Sequence, residues 1–151
     1  MPHLNYYMDF VVDVFIVCRN KVLLRMHDKY KQWFAVGGHI DPGEDPNQAA
    51  IREVKEEVGL DVTLHGSIPP PSHEKYTELI APAFMNRHHI TATHEHMSLV
   101  FFAVAETEEL HIDEGAEKAE CRWFTREELN DDRIMPHIQH YAKTALETLA
   151  E

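Results

Sequence analysis

The most constraining stretch of the chain is a helix whose two faces require opposite surroundings. Asp45-Pro46 supplies a capping carboxylate and then a proline whose fixed φ suits the first helical turn. Gln48 fits loosely as the return partner of a capping box. From Pro46 the pattern is helical to Val58, and Gly59 ends it as a left-handed residue. Ala50, Ile51, Val54 and Val58 fall on one side, which would bury that side against a sheet. Glu53, Glu56 and Glu57 recur at i, i+3 and i+4, so three carboxylates crowd into one turn of the helix.

Like charges at that spacing give a helix no stability. Hard divalent cations such as Mg²⁺ or Mn²⁺ take oxygen ligands and would relieve the repulsion. Arg52 and Lys55 flank the acids, and Glu44 adds a fourth carboxylate from the preceding loop. A Glu-rich face alone is more often plain solvated surface, so the residues around it decide. They run Gly38, five residues, Glu44, seven residues, then Arg52-Glu53-Val54-Lys55-Glu56-Glu57-Val58-Gly59-Leu60.

This segment resembles the Nudix box, G-x5-E-x7-R-E-U-x-E-E-x-G-U with U aliphatic, and every defined position agrees from Gly38 to Leu60. Glu120 to Phe124 and Glu127-Glu128-Leu129 are similar to a later strand and helix of the same family. Val36 stands where many members carry proline, while Gly37-Gly38 is kept. The resemblance implies an α/β fold, a Nudix-type α/β/α sandwich with a mixed sheet and a loop–helix–loop catalytic motif, as one domain over residues 1–151. It implies hydrolysis of a nucleoside diphosphate linked to a group X by water attack at phosphorus. The alternative is a Nudix module that senses a nucleotide without cleaving it; an intact carboxylate set argues for the enzyme. By motif position Glu53, Glu56 and Glu57 hold Mg²⁺ or Mn²⁺, joined by the main-chain carbonyl of Gly37, and Arg52 orients Glu53 or Glu44. The general base is either Glu53 or an acid of a distant loop, where Glu114, Glu117 and Glu120 are candidates. Glu117 is also a candidate metal ligand.

The remainder reads as strands and loops. Phe10 to Cys18 is apolar on both faces, as a central strand is. Arg19-Asn20-Lys21 turns it into Val22-Leu23-Leu24. Trp33 to Val36 reads as a short strand closed by Gly37-Gly38, and Asp61 to Leu64 as another. Pro69-Pro70-Pro71 opens what reads as a long irregular insertion, Ser67 to about Glu95. Leu99 to Ala105 is a buried strand, Glu106 to Glu120 an acidic loop and Cys121 to Phe124 a short strand. Thr125 can cap a short helix through Glu128, and a last helix runs from Ile134 or Pro136 to about Leu149.

Composition narrows the partners. The 151 residues carry 14 Lys plus Arg against 26 Asp plus Glu, a formal charge of −12, with no basic cluster to meet nucleic acid. An anionic substrate then needs bridging cations. No apolar run approaches a membrane span, no signal peptide is visible in MPHLNYYMDF, and two cysteines make no disulfide framework, so a cytoplasmic setting is expected. The expected partner is a small nucleoside diphosphate derivative, and the resemblance admits a homodimer. Arg25, Phe84, Met85 and His96 are candidate substrate contacts, whereas Trp33 reads as core. The 12 histidines include His88-His89, His94-x-His96 and His137-x2-His140; without cysteines at zinc spacing they read as surface or substrate-loop groups.

Overall fold

The chain is organised around one strand, β1 (Tyr7–Cys18), whose two faces enter two separate cores. Val12, Val14 and Ile16 are buried in one, Phe15 and Val17 in the other. A computed structural model describes residues 7–71, 73–112 and 119–151. Arg19 and Asn20 take positive φ (49° and 60°) in the two-residue turn that joins β1 to β2 (Lys21–His27). There follow β3 (Gln32–Phe34), β4 (Val36–His39), α1 (Pro46–Val58), β5 (Val62–Leu64), β6 (Phe84–Thr91), β7 (His94–Ala105), β8 (Cys121–Phe124) and α2 (Pro136–Thr148).

The strands form one mixed sheet in the order β3-β2-β1-β7-β5, with β4 on β1, β6 on β7 and β8 on β2. β1 and β7 run parallel from Tyr7↔His94 to Val17↔Val104, and the other pairs are antiparallel. α1 covers one face, packing Ala49, Ala50, Val54 and Val58 against Val12, Val14, Ile16, Phe101 and Ala103. α2 covers the other, packing Ile138, Ala142, Ala145 and Leu146 against Phe15, Val17, Trp33, Val100 and Phe102. The result is the α/β/α sandwich that the sequence implies. Among the described residues no helix is long and apolar enough to cross a membrane.

α1 keeps its expected bounds and both ends are built as read. Asp45 accepts from the Gln48 N–H at 2.8 Å and Gln48 Oε1 accepts from the Asp45 N–H at 2.9 Å. Gly59 sits at φ 71°, and a Cβ there would lie 2.4 Å from the His111 carbonyl oxygen, so glycine is required twice over. Ile51, expected on the apolar face, is 46% exposed. The buried face is centred on Ala49, Ala50 and Val54, and its small residues let the helix lie close to the sheet.

Three segments differ from expectation. The stretch read as irregular, Ser67 to about Glu95, has no helix or strand in its described residues before Phe84, but from there forms a hairpin, with β6 paired to β7 from Phe84↔Val100 to Thr91↔His94. Its outer half is polar on both faces, so no apolar alternation marks it. For the same reason β7 begins at His94, five positions before the apolar run. The strand expected over Trp33 to Val36 breaks at Ala35, and β4 continues through the glycine pair to His39, bonded to β1 from Val14↔Val36 to Val11↔His39. Thr125 and Glu128 exchange the capping bonds (3.0 and 3.3 Å), but only a turn follows them. Glu114 and Glu117 lie outside the described residues.

Trp33 is core, as read. It is 1% exposed, stands edge-on to Phe124 at 5.0 Å between centroids, and has the Arg122 guanidinium 5.4 Å from its ring centre. Trp33→Ala should therefore cost about 3–5 kcal/mol of stability, measured by urea unfolding. A loss below 1 kcal/mol would contradict this packing.

Candidate active site

The carboxylates of α1 are organised by one guanidinium. Arg52 Nη2 donates to Glu44 Oε1 at 2.6 Å and Nε to Glu44 Oε2 at 3.0 Å, a two-point fork. Its Nη1 reaches Glu53 at 2.9 Å and Glu56 at 3.1 Å, and Nη2 also donates to the His39 carbonyl at 3.0 Å. Hydrogen bonds from Arg52, then one from the Asp41 N–H at 2.8 Å, hold the Glu44 carboxyl down to about 2. Glu44 is thus a fixed anion that positions Arg52, and Arg52 ties the loop end of β4 to the helix.

Glu53 and Glu57 lie in a different environment. Burial raises both carboxyls, the Glu57 carboxyl to about 7 despite the pull of Arg25. Glu57 Oε2 lies 3.4 Å from the Gly37 N–H, at the edge of hydrogen-bond range. A Cβ on Gly38 would lie 2.5 Å from the Glu53 carboxylate carbon, so the glycine leaves room for the acid and nothing else.

These features fit a divalent cation. The donors are all oxygen, which suits Mg²⁺ or Mn²⁺. Two of the acids are buried enough to resist ionisation without added positive charge. The glycine pair brings main chain against them. Glu53, Glu56 and Glu57, with Gly37 beside them, are the residues that would hold the ion.

Next to this helix lies a cavity of about 650 Å³ on the α2 side of the sheet. Gly37, Gly38 and His39 form its catalytic end; Phe34, His137 and Tyr141 are among its far walls, and Arg25 and His96 also face it. Asp13 is half-buried there and accepts a hydrogen bond from the Ser98 hydroxyl. Burial pushes the Asp13 carboxyl up, partly offset by that bond.

The candidate site residues divide into three sets. Arg52, Glu44, Glu53, Glu56, Glu57 and Gly37 come together, and Arg25 and His96 reach the adjoining cavity. Phe84 packs against Phe102 and Tyr141, and Met85 lines a separate depression with Phe10, Met97 and Leu99; neither lines this cavity. Of the loop acids, Glu120 is described: its side chain is exposed and its carbonyl accepts from Met26 N–H at 2.8 Å. Sequence reasoning missed Asp13, Ser98, His39, His137 and Tyr141. The one available signal was Asp13, the lone charge inside an apolar strand.

The comparisons agree with this geometry. A family model described as the NUDIX domain matches residues 9–144. The crystal structure of a NUDIX-family hydrolase from Clostridium perfringens superposes with a TM-score of 0.86 at 36% identity, covering 93% of this chain and 97% of that one. The chain is 28% identical to the chloroplastic Nudix hydrolase 19 of Arabidopsis thaliana over 91% of its own length but only 29% of that protein's, so it spans under a third of that relative. It is 30% identical to the CTP pyrophosphohydrolase of Escherichia coli (strain K12), over 60% of this chain and 73% of the relative. A complete box, the sandwich that presents it and a family match over most of the length agree: this chain belongs to the Nudix hydrolase family.

Proposed function

We propose that the chain is a pyrophosphohydrolase dependent on Mg²⁺ or Mn²⁺, acting on a small molecule in which a nucleoside diphosphate is linked to a second group. The observation that carries this is the shared boundary of the two features above. The glycine pair that abuts Glu53 and Glu57 is also the wall of the cavity, so a ligand seated there lays its phosphates against the acidic helix. The name of the Escherichia coli relative supports the same linkage as the bond cleaved.

Residue roles follow from position. When bound, divalent ions would neutralise phosphate oxygens and lower the pKa of a coordinated water. Arg52 holds Glu53 and Glu56 at fixed angles and anchors the loop through Glu44. Arg25, 25 being the cavity-facing position of β2 beside Glu57, meets the phosphates with positive charge. Glu53 is the base assigned to the attacking water, its carboxyl raised by burial towards a proton-accepting range. Phe34 and Tyr141 offer faces to a nucleobase, and the Asp13–Ser98 pair offers hydrogen bonds to its edge.

The test is release of monophosphate or phosphate from a panel of nucleoside diphosphate derivatives, with Mg²⁺, with Mn²⁺ and with EDTA. Turnover that requires the ion is expected on at least one member, and Glu57→Gln should lower it about 100-fold or more. Metal binding without turnover on any member would favour the sensing role. Arg52→Lys keeps the charge and loses the fork, so kcat should fall about 10–100-fold with the fold intact.

Glu57 also predicts a proton linkage. Its folded carboxyl lies above its ordinary value of 4.5, at about 7. In the metal-free protein this group's contribution to stability is full below the ordinary value and is lost as pH rises through about 7. Cation binding at about pH 6 should therefore release a proton, and at about pH 8.5 none from this residue. Calorimetry in buffers of different ionisation enthalpy reads the difference, and Glu57→Gln should abolish it.

A further inference from the structure

Where β4 ends at the cavity, one carboxylate oxygen faces three imidazoles. Asp9 Oδ2 on β1 lies 2.7 Å from His94 Nε2, 3.3 Å from His39 Nε2 and 3.9 Å from His96 Nε2. The residues come from three neighbouring strands. β7 supplies His94 and His96 from one face, β1 supplies Asp9 directly opposite His96, and β4 ends at His39. The rings are mutually close, His94 and His96 at 4.9 Å between centroids and His39 and His96 at 5.1 Å. The ligand atoms of Asp9, His94 and His96 all lie within 4.8 Å of one another.

The contacts leave this group incompletely satisfied. His94 hydrogen-bonds Asp9, but His96 Nε2 is buried with no hydrogen-bond partner, an arrangement that normally costs stability. The Asp9 carboxylate at the centre favours a cation over an anion as the missing partner.

We propose that Asp9, His94 and His96 form a second cation site, with His39 beside Asp9 as the fourth position, suited to a four-coordinate transition metal such as Zn²⁺ and distinct from the carboxylate site of α1. A tetrahedral ion with ligands at about 2.0 Å separates those ligands by about 3.3 Å. The Asp9–His39 separation already has that value. Asp9–His94 must open, and Asp9–His96 close, by about 0.6 Å each, within reach of small side-chain rotations. Imidazole favours zinc and its neighbours over magnesium, so the two sites select different ions. Because His39 and His96 also line the cavity, an ion here places positive charge at its mouth. His39 carries the link to the other site, its carbonyl being held by Arg52.

The test titrates Zn²⁺ alone into the whole protein with Mg²⁺ in large excess, by calorimetry, and repeats it with Co²⁺ to read the visible absorption of a tetrahedral nitrogen–oxygen site. One equivalent is expected. His94→Ala and His96→Ala should each weaken binding by at least the roughly 10–100-fold that loss of even an outer partner costs. Asp9→Asn should do likewise, and His96→Gln serves where an alanine variant unfolds. His140→Ala and Cys121→Ser should bind as the parent does. Absence of a stoichiometric ion in the parent, or binding that survives loss of His94 and His96, overturns the assignment. Either result leaves the hydrolysis reading standing, since Glu57→Gln is read separately.

Discussion

The Arg52 guanidinium is the interaction on which the rest of the site depends. Without it, Glu44, Glu53 and Glu56 would repel one another across a few ångströms, and α1 would carry that repulsion on the side turned towards the substrate. Arg52 bonds all three and the His39 carbonyl besides. The repulsion is thereby partly offset, and the loop from His39 to Glu44 is fixed to the helix that follows it. A lysine in the same place would supply the charge and lose the planar fork that reaches separate acceptors at once. Glu57 lies outside this network, beyond Arg52's contacts, and is the acid whose burial is least compensated. The set is thus graded, from a carboxylate pinned as an anion at Glu44 to one that holds its proton near neutral pH at Glu57.

β1 explains how one sheet serves two ends. Its alternation sends Val12, Val14 and Ile16 to the core under α1, while Asp9, Val11, Asp13 and Phe15 face the α2 side. The α2 face is apolar at Phe15 and Val17, polar and half-buried at Asp13, and more open at Asp9. Polarity therefore rises along a single strand from the packed end of the sheet towards the rim. The cavity occupies the middle of that gradient, where β4 pairs with β1 and where β7 has changed from Val100 and Phe102 to Ser98 and His96.

How far the sequence could be read follows the same gradient. α1 was legible to its last residue, because its cap, its proline, its glycine and its charge spacing are all local. The two-faced burial of β1 and the core role of Trp33 were legible from hydrophobicity alone. The outer halves of β6 and β7 were not, since they are built to line a cavity and carry His, Asn and Ser where a core strand carries valine. Phe84 and Met85 show the converse difficulty: an aromatic and a methionine in a proline-rich segment invite a ligand-binding role, while pairing with β7 places them in packing and in a separate depression. Asp9, His39 and His96 are far apart in sequence, and only the parallel register of β1 on β7 and the end of β4 bring them together. No spacing rule could have found that group.

The balance of charge ties the two ends together. On the proposed function, a chain of formal charge −12 must place positive charge where the substrate's phosphates lie. Arg25 is one such charge on the cavity wall, but Arg52 is already engaged by three carboxylates. On that reading the remaining neutralisation comes from bound cations, which the oxygen donors of Glu53, Glu56 and Glu57 are suited to recruit. The nucleobase end has no such requirement. There the Asp13 carboxyl, pushed up by burial, accepts a hydrogen bond from the Ser98 hydroxyl. The proposed phosphate end thus carries the concentrated charge and the other end of the cavity carries little, and one strand, β1, orders the polarity on its side of the sheet.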